Sequence, residues 1–99
     1  MFTQENIMEQ LNNKAEELKR GFTVSSIGLF GSLARNEADR ESDVDILVDF
    51  AEPTFDHYMD LKFYLEKLFG RPVDLVTADT VKPRFKPVIK REVIYAKGL

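Results

Sequence analysis

Apolar side chains recur along this chain in two rhythms, and the switches between them divide it into elements. Ile7, Leu11, Ala15 and Leu18 stand three or four apart, which predicts a helix from Thr3 to Arg20 with Thr3 as its N-cap and Gly21 as its stop. From Val24 to Phe30 the period shortens to two, placing Ile27 and Leu29 on one face of a first strand. Gly31-Ser32 then reads as a turn, with Leu33 to Ala38 as a short helix opening from it. Asp43 to Phe50 alternates: Val44, Ile46 and Val48 take one face of a second strand, and Asp43, Asp45, Leu47 and Asp49 the other. Thr54 to Phe69 returns to helical spacing, with Tyr58, Leu61, Leu65 and Leu68 as its buried stripe and Gly70 closing it. Val73 to Thr77 is a third strand, short and β-branched, and Pro87 suits the first turn of a final helix through Tyr95.

The order helix, strand, strand, helix, strand, helix predicts an α+β (α/β) fold in which a small mixed β-sheet is covered by helices. The 99 residues suit a single domain, 1–99, with one modest core. Cysteine is absent, which removes disulfides and thiolate metal sites. The first residues carry neither a basic region nor an apolar run of the signal-peptide kind, and no stretch approaches the roughly 20 apolar residues of a membrane helix. A soluble, cytoplasmic protein is expected.

The net charge of −3 is unevenly distributed. Lys82, Arg84, Lys86, Lys90, Arg91 and Lys97 face a single acid, Glu92, in the last eighteen residues, and the rest of the chain is strongly acidic. An acidic body argues against general duplex DNA binding, which depends on phosphate neutralisation. The basic segment reads first as solvated surface, and otherwise as a contact for the anionic ligand, RNA or an acidic partner.

Chemistry concentrates in two strands. Residues i and i+2 of a strand share a face about 6.6 Å apart, so the Asp43 and Asp45 carboxylates can converge on ions between them. The pair interrupts a run, Val44-Asp45-Ile46-Leu47-Val48, that otherwise reads as interior, where a carboxylate is costly unless neutralised or hydrogen-bonded. Asp74 repeats the pattern within Val73-Asp74-Leu75-Val76. Three carboxylates on neighbouring strands suit two divalent ions, and hard oxygen donors favour Mg2+ or Mn2+ over zinc. Gly31 lets a backbone approach a phosphate closely, Ser32 adds a hydroxyl donor, and Arg35 adds charge one helical turn on.

The string Gly31-Ser32-Leu33-Ala34-Arg35, a polar loop, Ser42-Asp43-Val44-Asp45-Ile46-Leu47-Val48 and a later Asp74 resembles the signature of minimal nucleotidyltransferases of the DNA polymerase beta-like superfamily. The resemblance extends over nearly the whole chain, through Lys90-Arg91-Glu92-Val93-Ile94-Tyr95. It implies a nucleotidyltransferase fold, Gly31, Ser32 and Arg35 on the nucleotide's phosphates, and Asp43, Asp45 and Asp74 as catalytic metal ligands, with Asp74 also placed to take the acceptor's proton. Asn36 stands where the family usually has glycine, and asparagine tolerates the left-handed backbone such a turn needs.

Stand-alone chains of this size in that family resemble the antitoxin of a two-gene, type VII toxin–antitoxin pair. That implies AMP transfer from ATP, with two Mg2+ ions, to a tyrosine of a HEPN-type RNase toxin encoded by a neighbouring gene. Two alternatives stay open: neutralisation by binding alone, or nucleotidyl transfer to a small molecule within a heteromeric complex. Phe55, Phe63 and Phe85 are candidates for a partner surface, with core packing the default for the first two. His57 reads as a surface or capping residue.

Overall fold

The computed structural model describes residues 3–37 and 42–99. Its elements run α1 (Gln4–Asn13), α2 (Ala15–Phe22), β1 (Val24–Phe30), α3 (Gly31–Ala34), β2 (Val44–Phe50), α4 (Phe55–Phe69), β3 (Val73–Thr77), a single 3₁₀ turn (Ala78–Thr80), α5 (Lys86–Glu92) and β4 (Ile94–Tyr95). The four strands form one mixed sheet in the order β3-β2-β1-β4. β1 runs antiparallel to both β2 and β4, while β2 and β3 are parallel.

Parallel neighbours need a crossover, and α4 supplies it. Thr54 starts that helix, its hydroxyl accepting from the His57 N–H at 3.1 Å, and Gly70 ends it in the left-handed conformation with φ +67°. Two side chains of α4 then tie it to β3: Tyr58 Oη donates to the Leu75 carbonyl at 2.6 Å, and Glu66 accepts from the Val73 N–H at 3.0 Å. The core lies between one sheet face and the long helices, where Ile7, Leu11, Leu18, Ile27, Leu29, Ile46, Leu61 and Leu65 are fully buried. Of the stripe expected on α4, Leu61 and Leu65 are buried, Tyr58 and Leu68 pack partly against the core, and Phe69 joins them.

Several boundaries differ from the sequence expectation. The first helix is two: Lys14 leaves helical geometry (φ −103°, ψ 10°) between α1 and α2. Asparagine side chains compete with helical backbone bonds, and Asn12 Oδ1 accepts from the Lys97 N–H at 2.8 Å. Gly21 lies inside α2, and the left-handed stop is Thr23 at φ 55°, held by contacts of its hydroxyl with the Glu52 N–H and the His57 ring. The helix expected after Gly31 stops at Ala34, and Ala38 lies outside the described residues. The last helix ends at Glu92 instead of running through Tyr95, and Ile94-Tyr95 become an edge strand opposite Leu29 and Gly28. Gly28 makes that possible, since a Cβ there would meet Val93 Cγ2 at 2.7 Å and the Ile94 carbonyl oxygen at 3.0 Å.

Phe55 (75% exposed) and Phe63 (59%) lie on the surface of α4, not in the core, and Phe85 is also exposed. His57 serves local structure, its Nδ1 lying 2.7 Å from the Glu52 carbonyl oxygen, which agrees with a capping role.

Candidate active site

The sheet face away from the long helices carries the aspartates. In β2 the residues buried against the helices are Val44, Ile46 and Val48, which turns Asp45, Leu47 and Asp49 to the opposite side. Asp43 comes immediately before the strand. The start of β3 is fixed beside the start of β2 by the Val44 N–H donating to the Pro72 carbonyl at 3.1 Å. From there the register pairs Val44 with Val73, Asp45 with Asp74 and Ile46 with Leu75. Paired residues of parallel strands share a face, so Asp74 stands beside Asp45 and not across the sheet from it.

Electrostatics follow from that placement. The Asp45 carboxyl is half-buried, and its pKa is raised above the ordinary 3.8, first by burial and then by the charges of Asp74 and Asp43. Glu92 adds to the effect and Arg35 opposes it. Among the described residues, no three acidic or histidine side chains are already gathered in a metal-holding arrangement. The donor set nonetheless fits a hard divalent cation: it is all-oxygen and mutually repelling, and burial and the neighbouring acids raise the pKa of one member, Asp45.

The turn beside these acids is built around Gly31. Its φ of +77° is one that side-chain-bearing residues avoid, and a Cβ there would lie 2.0 Å from Asp45 Oδ2. Gly31 is therefore required twice over, by conformation and by the carboxylate packed on it. Ser32 and Leu33 follow in α3, Arg35 caps it, and Asn36 takes the left-handed conformation at φ 58° in the position where glycine is usual.

Glu92 is the residue that sequence reasoning missed. One of its oxygens accepts from the Gly31 N–H at 3.1 Å, the other from Arg35 Nη1 at 2.8 Å. Arg35 also pairs with Glu37 at 3.0 Å, and these partners, Glu92 foremost, hold its guanidinium more firmly protonated. The available signal was that Glu92 is the lone acid in the basic C-terminal segment.

That basic segment folds over the same sheet face. A cleft of about 260 Å³ is lined by Leu47, one side-chain step along β2 from Asp45, with Ala78, Val81, Ile89, Tyr95 and the lysines Lys86 and Lys90. A larger cleft of about 410 Å³ lies at the far ends of β2 and β3, against Phe50, Thr54 and Asp79, away from the acids.

Comparison with known proteins gives the family. Residues 9–96 match the model of the nucleotidyltransferase domain family. The chain is 45% identical over 96 residues to the protein adenylyltransferase MntA of Thermococcus cleftensis, covering 96% of this chain and 97% of that one. Among solved structures it resembles a chain provisionally described as a minimal nucleotidyltransferase, with a TM-score of 0.79 at 33% identity, over 94% of this chain and 95% of that one. A toxin–antitoxin crystal structure with AMP-PNP superposes with a TM-score of 0.71 at 25% identity, over 89% and 73% of the two chains. A structure of tri-AMPylated Shewanella oneidensis HEPN toxin with its MNT antitoxin shares the fold, with a TM-score of 0.64 at 22% identity, over 93% and 73%. The paired aspartates, the glycine-serine turn against them and the family match over nearly the whole chain place this protein in the nucleotidyltransferase domain family, among its minimal members.

Proposed function

We propose that this chain is a metal-dependent protein adenylyltransferase that moves AMP from ATP to a tyrosine of a HEPN-type toxin and so acts as an antitoxin. The observation that carries the reading is Asp45 and Asp74 side by side in register, with Gly31 packed against the Asp45 carboxylate. The 45% identity to an MntA protein adenylyltransferase supports the choice of reaction, and the toxin–antitoxin neighbours support the choice of acceptor.

In the reaction, the acceptor hydroxyl oxygen forms a bond to the α-phosphorus as the bond to the β-phosphate oxygen breaks. Pyrophosphate leaves and the hydroxyl proton is lost. Asp43, Asp45 and Asp74 would hold the ions, Mg2+ or Mn2+, which supply charge neutralisation to the attacking and leaving oxygens. Asp74, at the outer strand of the sheet, is the candidate to take the proton. Gly31, Ser32 and Arg35 line the turn assigned to the phosphates, and two of the three proposed metal ligands, Asp45 and Asp74, lie on strands whose spacing is fixed by backbone bonds.

The test is direct. The purified chain, its genomic neighbour, α-labelled ATP and Mg2+ should yield a labelled neighbour, and chelation should stop the labelling. No label with any metal or nucleotide removes the proposal.

A second reading, neutralisation by masking, draws on the exposed Phe55 and Phe63 of α4, which suit a partner contact. The variant with all three aspartates replaced separates the two: continued protection of cells supports masking, and lost protection with retained partner binding supports catalysis.

A further inference from the structure

Glu92 closes α5, yet its two carboxylate oxygens accept from residues far back in the chain, the Gly31 N–H at 3.1 Å and the Arg35 guanidinium at 2.8 Å. Its side chain is largely covered, at 18% exposure. What it holds cannot hold itself. α3 is four residues long, its N-cap Phe30 offers no side-chain bond, and one turn of helix fixes too few hydrogen bonds to offset its ordering cost. Gly31 in turn abuts Asp45, as the 2.0 Å from a hypothetical Cβ to Oδ2 shows. A line of contact therefore runs from Glu92 through Gly31 to a carboxylate of the acidic centre.

The arrangement has an electrostatic cost, because it brings another negative charge toward Asp45. Glutamine would satisfy the Gly31 N–H without that repulsion. The charge is accounted for by Arg35, which the second oxygen holds at the other end of the same turn.

We infer that Glu92 is a positioning residue: it fixes both ends of the Gly31–Arg35 turn against Asp45 and so sets the geometry in which the acids and the phosphate-facing turn meet. Its consequence for catalysis rests on the transferase reading above. Loss of a supporting partner of this kind typically costs about 10- to 100-fold in activity.

Two variants of the full chain test it, read by amide hydrogen exchange at Gly31 and by kcat and KM for ATP with the labelled acceptor. Glu92→Ala removes both bonds. Its Gly31 amide should exchange at least about tenfold faster and its kcat fall by about tenfold or more, with the melting temperature nearly unchanged. Glu92→Gln keeps an acceptor for Gly31 and drops the pairing with Arg35. It should keep Gly31 protection and most of kcat near the parent's, while KM for ATP rises above the parent's because Arg35 loses its partner.

An active parent matched within about twofold by Glu92→Ala in kcat, KM and exchange overturns the inference alone. A parent that transfers nothing overturns the functional reading and this inference with it. Should Glu92→Ala not fold, Glu92→Gln decides, and an unchanged KM then overturns the proposal.

Discussion

Asp45 of β2 and Asp74 of β3 are register partners across a parallel strand pair, so their separation is set by backbone hydrogen bonding and not by a loop. Neighbouring strands stand about 4.8 Å apart, which holds two like charges close whether or not a cation is present. The fold thus maintains a repulsion that a bound ion would relieve.

The first prediction follows from Asp45 itself. Its pKa in the folded chain lies above the ordinary 3.8, chiefly through burial, so folding favours the protonated form. That contribution to stability is present below 3.8 and is lost as pH rises through the folded value. Asp45→Asn removes the loss. In metal-free buffer at pH 7 it should melt a few degrees above the parent, and the difference should shrink toward pH 4. Equal or lower melting at pH 7 would contradict the electrostatic account.

Activity should move the other way. Asp45→Asn and Asp45→Ala are expected to lower AMP transfer by at least about 100-fold, beyond the usual effect of losing a supporting partner. Circular dichroism should show the fold intact. Near-parental transfer by either variant would remove Asp45 from the catalytic set.

Gly31→Ala tests the turn. The left-handed backbone alone costs roughly 1–2 kcal/mol for a residue with a Cβ, and the collision with Asp45 Oδ2 adds to it. We expect lower stability in denaturant titrations and a larger proportional loss of transfer. An alanine variant that keeps full activity would show that the turn tolerates rearrangement.

Three substitutions on α4 should rank by environment. Leu65→Ala, at a fully buried position, should cost about 2–5 kcal/mol, and Thr54→Ala, at the N-cap, about 1 kcal/mol. Phe63→Ser, on the exposed face, should stay within about 0.5 kcal/mol of the parent. Equilibrium urea unfolding checks the order, and a large loss at Phe63 would mean that its face is covered.

Much of this was readable in the sequence because β2 and α4 declare themselves by period. Alternation in Val44-Asp45-Ile46-Leu47-Val48 put the aspartate on the face opposite the core, and the third carboxylate fell in register once β3 paired in parallel. Local pattern failed where tertiary contacts decided the outcome. Nothing near Lys14 announces that Asn12 will accept from Lys97, and two residues of β4 are too few for any periodicity. Hydrophobicity alone leaves Phe55 and Phe63 open between core packing, the default, and a partner surface, and the fold exposes both. Glu92 escaped notice because its role depends on a contact spanning 61 residues of chain.

The narrow edge strand has a consequence for how the protein loses function. β4 pairs through only two residues, Ile94 and Tyr95, with Gly28 leaving room for them, and it follows directly on the helix that ends at Glu92. Opening this margin should expose less apolar surface than melting the helix-covered side, and we expect it to open sub-globally, before the core does. Warming or mild denaturant should therefore silence the enzyme while most of its backbone amides remain protected.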